Sequence, residues 1–195
     1  IVGVDEPMVK QWIDEQEIVT INPNQQTDAR TLAAKIGLIM AIKDYDLKRV
    51  ISFHSRIKGA KEFSEELLDV VDLIDPIHKP KGVFLADYVS GKMKAGDRKD
   101  KIDRLKLLDS FNIGILSNSR CLAEGVDVPS LDGVAFIDPK GSQIEIIQAV
   151  GRAIRKVRGA KVQTKGTIVI PYLSRHMMTL WLRLKLVISN QFGML

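Results

Sequence analysis

Cysteine and histidine are scarce in this chain. A single cysteine, Cys121, among 195 residues excludes an internal disulfide framework and fits a reducing compartment. With no histidine near it in the sequence, Cys121 is interpreted as a buried, unreactive thiol. The three histidines, His54, His78 and His176, are widely spaced and have no cysteine partners, so no metal-site spacing is present. We therefore expect no metal held by this chain.

Long hydrophobic runs are also missing. The longest apolar stretch, TLWLRLKLVISNQF near the C-terminus, is interrupted by Arg183 and Lys185 and is too short to span a bilayer. The chain begins with Ile1 and shows no basic-then-apolar signal region. These features predict a soluble, cytoplasmic piece of a longer protein with no membrane partner.

A phosphate-binding P-loop is the third absence. No Gly-x4-Gly-Lys-Ser/Thr pattern occurs, and the nearest imitation, Ser90-Gly91-Lys92-Met93, lacks the leading glycine and the metal-binding hydroxyl. The chain by itself therefore lacks the usual cradle for a nucleotide triphosphate.

Positive charge is present, but it is local. A hydrophobic content of 45% with 27% charged residues is typical of a soluble globular protein, and the net charge is +5. Residues 79–106 hold nine basic side chains against four acidic ones, and residues 152–165 hold six basic side chains and no acidic one. This segregation favours a surface for a polyanion, with ordinary solvated faces as the alternative.

Short apolar strands alternate with helical patterns along the chain. Residues 1–24 are read as a strand or a helix leading into the domain, and Thr27 is predicted to cap a helix that runs to Lys43. Further strands are predicted at Val50–Phe53, at Val83–Leu85, after Asn112 and within Gly166–Pro171. Helices are predicted between them, with apolar faces that include Ile57 to Val70 and Ile102 to Phe111. This order predicts an α/β fold, a parallel sheet with helices on both faces.

The stretch from Asn112 to Arg158 carries the strongest chemical signal. It reads as a strand, a Ser/Asn turn, a Gly-Val-Asp-Val-Pro loop, a second strand and a helix. At about 100° per residue, one narrow stripe of that helix holds Glu145, Gln148, Arg152 and Arg155, and the apolar residues lie opposite. Two outward guanidinium groups form a rigid fork suited to phosphate, although a solvated basic face would look the same.

Two patterns in this stretch resemble motifs V and VI of superfamily 2 helicases and translocases. The pattern Glu-Gly-x-Asp-x-Pro is present as Glu124, Gly125, Asp127 and Pro129. The pattern Gln-x-x-Gly-Arg-x-x-Arg is present as Gln148, Gly151, Arg152 and Arg155. The resemblance covers roughly Val50 to Pro171 and implies a RecA-like domain, the second of the two domains of such a motor.

The resemblance also implies roles in ATP chemistry. ATP with Mg²⁺ would lie between this domain and an N-terminal RecA-like domain of the same parent chain, which holds the P-loop. Arg155 would be the arginine finger, and Arg152 and Gln148 would contact the phosphates or the hydrolytic site. Asp127 would approach the ribose, so the implied ATP-binding residues are Gly125, Asp127, Gln148, Gly151, Arg152 and Arg155.

Nucleic-acid contacts are implied at the ends of three strands, where small polar groups can meet backbone phosphates. The candidates are Ser55, Arg56, Ser90, Gly91, Asn118, Ser119 and Arg120. Each serine or asparagine alone could simply form a turn, but parallel sheets place their sites at such strand ends. We expect part of the basic cluster, defined here as Lys92, Lys94, Arg98 and Lys99, to lie beside these groups.

Two functions remain open at this point. The first is the C-terminal motor domain of an ATP-dependent helicase or translocase, inactive without its P-loop domain; the second is a non-catalytic helicase-like module that binds nucleic acid or a partner. The sequence of the motif V segment, SNSRCLAEGVDVPSLDGVAFIDP, resembles that of restriction or mobile-element helicases. Gln148 occupies the position at which DEAD-box RNA helicases have His. Both features favour DNA as the nucleic acid. The expected division is an N-terminal segment and helix packing on the core at 1–48, the RecA-like domain at 49–172 and an extension at 173–195.

Overall fold

The computed structural model describes residues 18–22, 25–119, 121, 131–138 and 167–170. In chain order its elements are β1 (Ile18–Asn22), β2 (Gln25–Asp28), α1 (Ala29–Asp44), β3 (Arg49–Phe53), α2 (Ile57–Leu73), β4 (Phe84–Ser90), α3 (Ala95–Lys106), β5 (Ile113–Ser119), β6 (Gly133–Phe136) and β7 (Thr167–Val169). No helix within these residues is long and apolar enough to cross a membrane.

Five of the strands form one parallel sheet. Their order is β4-β5-β3-β6-β7, and every neighbouring pair in it is parallel. β1 and β2 form a separate antiparallel pair. The parallel sheet predicted from the alternation of strands and helices is therefore confirmed, and β3 lies at its centre.

Helices cover both faces of the sheet. Val50 of β3 packs in one apolar cluster with residues of α1 and α2, whereas its neighbour Ile51 packs in a second cluster with Ile102 and Leu105 of α3. Successive side chains of a strand point to opposite faces, so both faces of β3 are buried. This explains why the apolar residues of β3 do not simply alternate with polar ones: Val50, Ile51 and Phe53 are all buried.

The helix α1 begins one residue later than the sequence indicated. Thr27 belongs to β2, and Asp28 is the N-cap, with its carboxylate accepting a hydrogen bond of 2.9 Å from the backbone N–H of Thr31. Thr27 was the wrong cap because the side chain that meets the N–H of Thr31 is that of Asp28, whereas Thr27 is buried one residue earlier in β2. The predicted end is confirmed: Tyr45 is the C-cap, and Asp46 adopts a positive φ of 49°.

The strands β4 and β5 are both longer than the sequence predicted. β4 was predicted to end at Leu85 and runs to Ser90, and β5 includes Ser117 to Ser119, which had been assigned to a turn. Both segments stay extended because β4 and β5 pair in register from Phe84–Ile113 to Ser90–Ser119. Ladder hydrogen bonds on both sides of β5 outweigh the turn preference of Ser and Asn. The predicted strand in 166–171 is confirmed as β7.

Candidate nucleic-acid interface

The carboxyl ends of β4, β5 and β3 lie side by side in the sheet. Ser90 is paired with Ser119, and Asn118 lies between Val89 and Phe53 in neighbouring strands. Ser55 and Arg56 follow β3 directly and lead into α2. The structure therefore brings six of the seven predicted nucleic-acid residues to one edge of the sheet, while Arg120 lies outside the described residues.

Ser55 is exposed, but both of its hydrogen-bond donors are engaged. Its backbone N–H and its hydroxyl donate to the same carboxylate oxygen, Oδ2 of Asp138, over 2.7 and 2.8 Å. Asp138 follows β6, the neighbour of β3, and sequence reasoning missed it. The available signal was an acidic residue directly after a short apolar strand.

The side chain of Asn118 folds back onto its own chain. Its Oδ1 accepts hydrogen bonds from the backbone N–H of Cys121 at 3.3 Å and from the Cys121 thiol at 3.0 Å. Its backbone oxygen accepts from the N–H of His54 at 2.9 Å. Asn118 therefore shapes the turn after β5 and ties that turn to the end of β3.

Cys121 behaves as an inert thiol. Burial raises its pKa to about 11, although the charge of Arg98 acts in the opposite direction. The thiol is protonated at neutral pH and is a poor nucleophile. Cys121 packs against the apolar cluster that holds Ile102 and Leu105, so α3 lies close to the turn after β5.

Ser90 and Ser119 are both buried at the end of their strands. Ser90 is 2% exposed, and Ser119 is fully buried. Within the part of the chain that the structure describes, the hydroxyl of Ser119 has no hydrogen-bond partner. Leaving a buried hydroxyl without a partner costs on the order of 1–3 kcal/mol. Gly91, the next residue after Ser90, is exposed.

A buried polar row lies under these strand ends on the side of α2. The Ser52 hydroxyl donates to Ser117 Oγ over 3.0 Å and lies 3.0 Å from Nε2 of His54. The His54 ring packs against Phe63 with 4.8 Å between centroids. Burial lowers the pKa of His54 to about 4, against the attraction of Asp138, so the ring is neutral at pH 7. Sequence reasoning gave Ser52, His54 and Ser117 no functional role.

An ion pair is buried next to this row. Lys35 of α1 has no exposed surface and bonds to the carboxylate of Glu66 on α2. Burial lowers the pKa of Lys35, while Glu66 acts to raise it. The pair joins the two helices on one face of the sheet, and its Lys35 charge also helps to lower the pKa of His54.

The basic residues near the strand ends are largely free to meet solvent or a ligand. Lys92, Lys94 and Lys99 are exposed, and Arg98 is partly buried in the first turn of α3. Arg56 is exposed at the N-cap of α2, which has no side-chain cap among the described residues. Positive side chains thus flank the carboxyl edge of the sheet.

The predicted ATP-binding and catalytic residues lie outside the described part of the chain. These are Gly125, Asp127, Gln148, Gly151, Arg152 and Arg155. Their roles stay predictions from motif resemblance.

The sheet order, the helices on both faces and the polar strand ends define a RecA-like α/β domain. The model of the family "Helicase conserved C-terminal domain" matches residues 34–157. The chain belongs to this family and is the second RecA-like domain of a superfamily 2 helicase.

Three similar proteins illustrate the relationship. "Putative helicase 22" of Sulfolobus islandicus filamentous virus is 35% identical over 118 residues, 60% of this chain and 18% of that protein. "Putative ATP-dependent RNA helicase MJ1505" of Methanocaldococcus jannaschii is 28% identical over 104 residues, 51% of this chain and 13% of that protein. The DNA-bound ATP-dependent Type ISP restriction-modification enzyme LlaBIII matches with a TM-score of 0.58 and 26% identity over 83% of this chain and 12% of that one. The chain spans less than a fifth of the length of each.

Proposed function

We propose that this chain is the C-terminal motor domain of an ATP-dependent superfamily 2 DNA helicase or translocase. The observation that carries the proposal is the row of polar strand ends of β4, β5 and β3 at one sheet edge, in a helicase-family domain. We name this row, formed by Ser55, Arg56, Ser90, Gly91, Asn118 and Ser119, the track. It supplies half of the nucleic-acid binding surface, and the P-loop domain supplies the other half.

The track suits contact with a phosphate backbone more than the reading of bases. Its groups are hydroxyls, backbone amides and one exposed guanidinium, which position a strand but carry no direct sequence information. Asn118 would hold the turn after β5 in place, since its side chain is already bonded within the protein. The basic cluster would add affinity through charge neutralisation.

The ATP side of the proposal depends on the resemblance and on residues outside the described part of the chain. Arg155 acts as the arginine finger, with Arg152 and Gln148 at the phosphates and Asp127 near the ribose. ATP-bound Mg²⁺ supplies charge neutralisation at the phosphates and is held mainly by the P-loop domain of the parent protein. Because this chain has no P-loop pattern, we expect no ATP hydrolysis by the chain alone.

The decisive experiment measures ATP turnover and ATP binding separately in the full-length protein, with single-stranded DNA present. Replacing Arg155 by Ala should lower turnover on the order of 10³-fold and leave ATP affinity nearly unchanged, because a finger acts on charge that develops in the transition state. Arg158→Ala is the matched control, since Arg158 falls outside the stripe. Unchanged turnover with weaker DNA binding would show that the stripe is a nucleic-acid surface instead.

DNA is the proposed substrate because Gln148 stands at the DEAD-box His position and because the motif V segment resembles restriction-type helicases. The same assay run with single-stranded RNA of matching length checks this choice. Stronger stimulation of ATP turnover by RNA than by DNA would identify RNA as the substrate instead. No stimulation of turnover by either nucleic acid would favour the non-catalytic binding module.

A further inference from the structure

Asp138 holds the first residue of the track. One of its carboxylate oxygens accepts both donors of Ser55, the backbone N–H at 2.7 Å and the hydroxyl at 2.8 Å. Hydrogen bonds to an ionised acceptor are roughly twice as strong as neutral ones. While this contact exists, Ser55 has no donor to offer to a phosphate.

The contact is built into the sheet order. β6 pairs with β3, and the ladder continues past the strands with a hydrogen bond of 3.2 Å from the N–H of Ile137 to the oxygen of Phe53. This places Asp138 beside His54 and Ser55. The 83 residues that separate Ser55 from Asp138 in sequence are bridged by this pairing.

The chemistry at this position is that of an anion site. Ser55 and Arg56 lead directly into the N-terminus of α2, where helix geometry leaves backbone N–H groups pointing outward and favours negative charge. The Asp138 carboxylate presents to Ser55 the same kind of acceptor that a phosphate oxygen would present. Ser55 is exposed and Asp138 is only partly buried, so an incoming phosphate can reach the shared donors.

We propose that Asp138 is a positioning residue that stands in for a nucleic-acid phosphate at Ser55. In the free protein it occupies the two hydrogen-bond donors of Ser55. A backbone phosphate of the bound strand takes over the Ser55 donors, and the carboxylate moves away from the phosphate charge. The inference rests on the proposed function, because the competing phosphate belongs to the nucleic acid.

The test measures the affinity of the full-length protein for a fluorescent single-stranded DNA at fixed salt, without nucleotide. Asp138→Ala should bind about threefold to tenfold more tightly than the wild type, because no hydrogen bonds to a carboxylate have to be given up. Asp138→Asn keeps an oxygen acceptor for Ser55 but loses the charge, so its gain should be smaller. If Asp138→Ala fails to fold, Asp138→Asn still tests the proposal, because its side-chain oxygen can keep the hydrogen bonds to Ser55.

A double-mutant cycle with Ser55→Ala separates competition from general electrostatics. In the Ser55→Ala background, the gain from Asp138→Ala should be clearly smaller than in the wild type, since the hydroxyl donor is gone and only the backbone N–H still bonds to Asp138. Asp97→Ala is the matched control: it removes the same charge from the start of α3, and any gain it gives should not depend on Ser55.

Each outcome decides between the models. Equal or weaker binding by both Asp138 variants, or a gain that persists undiminished in Ser55→Ala, overturns the stand-in role while leaving the proposed function intact. Absence of DNA binding by the wild type and by every variant overturns the proposed function and the stand-in role together.

Discussion

His54 shows how one buried side chain links pH to the shape of the track. Its ring lies under α2, within 3.0 Å of the Ser52 hydroxyl, and its backbone N–H bonds to the oxygen of Asn118. Desolvation by burial is the main reason that its pKa is lowered from 6.5 to about 4; Asp138 opposes this shift and Lys35 adds to it. A protonated ring would have to be accommodated in the apolar surroundings of Phe63.

Stability should therefore fall with acid between pH 6.5 and about pH 4. In this window the unfolded chain binds a proton at His54 and the folded chain does not, so protons favour unfolding. The full contribution is present above pH 6.5 and amounts to up to about 3 kcal/mol. Urea unfolding of wild type and His54→Gln at pH 7 and pH 4 measures it: the variant should lose less stability. Equal losses would show that other groups cause the acid sensitivity.

Polar residues at the predicted strand ends do not all face a ligand, because some of them stabilise the protein itself. Ser55 and Asn118 are at the predicted edge, yet their polar atoms are bonded to Asp138 and Cys121. Ser119 differs, since its buried hydroxyl has no partner among the described residues. A place at the strand end therefore does not by itself make a polar side chain available to a ligand.

At the scale of elements, α3 packs closely on β5 because Gly114 has no side chain. A Cβ added at Gly114 would lie 2.6 Å from Cδ1 of Leu105 and 3.2 Å from Cδ2 of Leu108. Arg49 of the neighbouring strand β3 donates to the backbone oxygens of Leu105 and Leu108. The C-terminal end of α3 is therefore held by apolar packing on β5 and by hydrogen bonds from β3.

Two Gly→Ala substitutions should have opposite effects on stability. Gly114→Ala should destabilise by about 1–3 kcal/mol, because the leucines must move in a packed core. Gly59→Ala in α2 meets nothing within 4 Å and should stabilise by about 0.5–1 kcal/mol through helix propensity. Denaturant midpoints of the two variants check this. A neutral Gly114→Ala would mean that Leu105 adopts another rotamer at little cost.

At the scale of the whole molecule, positive charge gathers where the sheet presents its polar edge. The basic cluster begins two residues after β4 and continues into the first turn of α3. Met93, within the same loop, and Cys121, in the turn that follows β5, both pack against the apolar cluster that holds Ile102 and Leu105 of α3. The basic cluster and the track therefore share one side of the domain.

The double variant Arg98→Ala, Lys99→Ala of the full-length protein should bind single-stranded DNA more weakly at any sequence. Each phosphate contact that is lost should reduce the steepness of the log K against log salt plot by roughly 0.7 to 0.9. Arg104→Ala, Lys106→Ala removes the same charge from the far end of α3 and should leave the slope nearly unchanged. An equal loss of slope in both variants would indicate a diffuse field instead of contacts beside the track.

The sequence by itself determined the class of fold and the family. Alternation of short strands with amphipathic helices depends on local spacing, and the two motifs lie within 32 residues, from Glu124 to Arg155, so both can be read along the chain. Strand ends at β4 and β5 were misplaced because Ser and Asn favour turns locally, and only pairing with neighbouring strands kept them extended.

Only the tertiary structure decided which polar groups meet. Ser55 and Asp138 are 83 residues apart, Ser52 and Ser117 are 65 apart, and Lys35 and Glu66 are 31 apart. No local pattern marks such pairs, because the order of strands in the sheet and the packing of helices on it bring them together. The same pairing buried Ser119, whose hydroxyl has no partner among the described residues, and brought Asp138 to Ser55. The availability of each track residue therefore depends on contacts that its neighbours in sequence do not make.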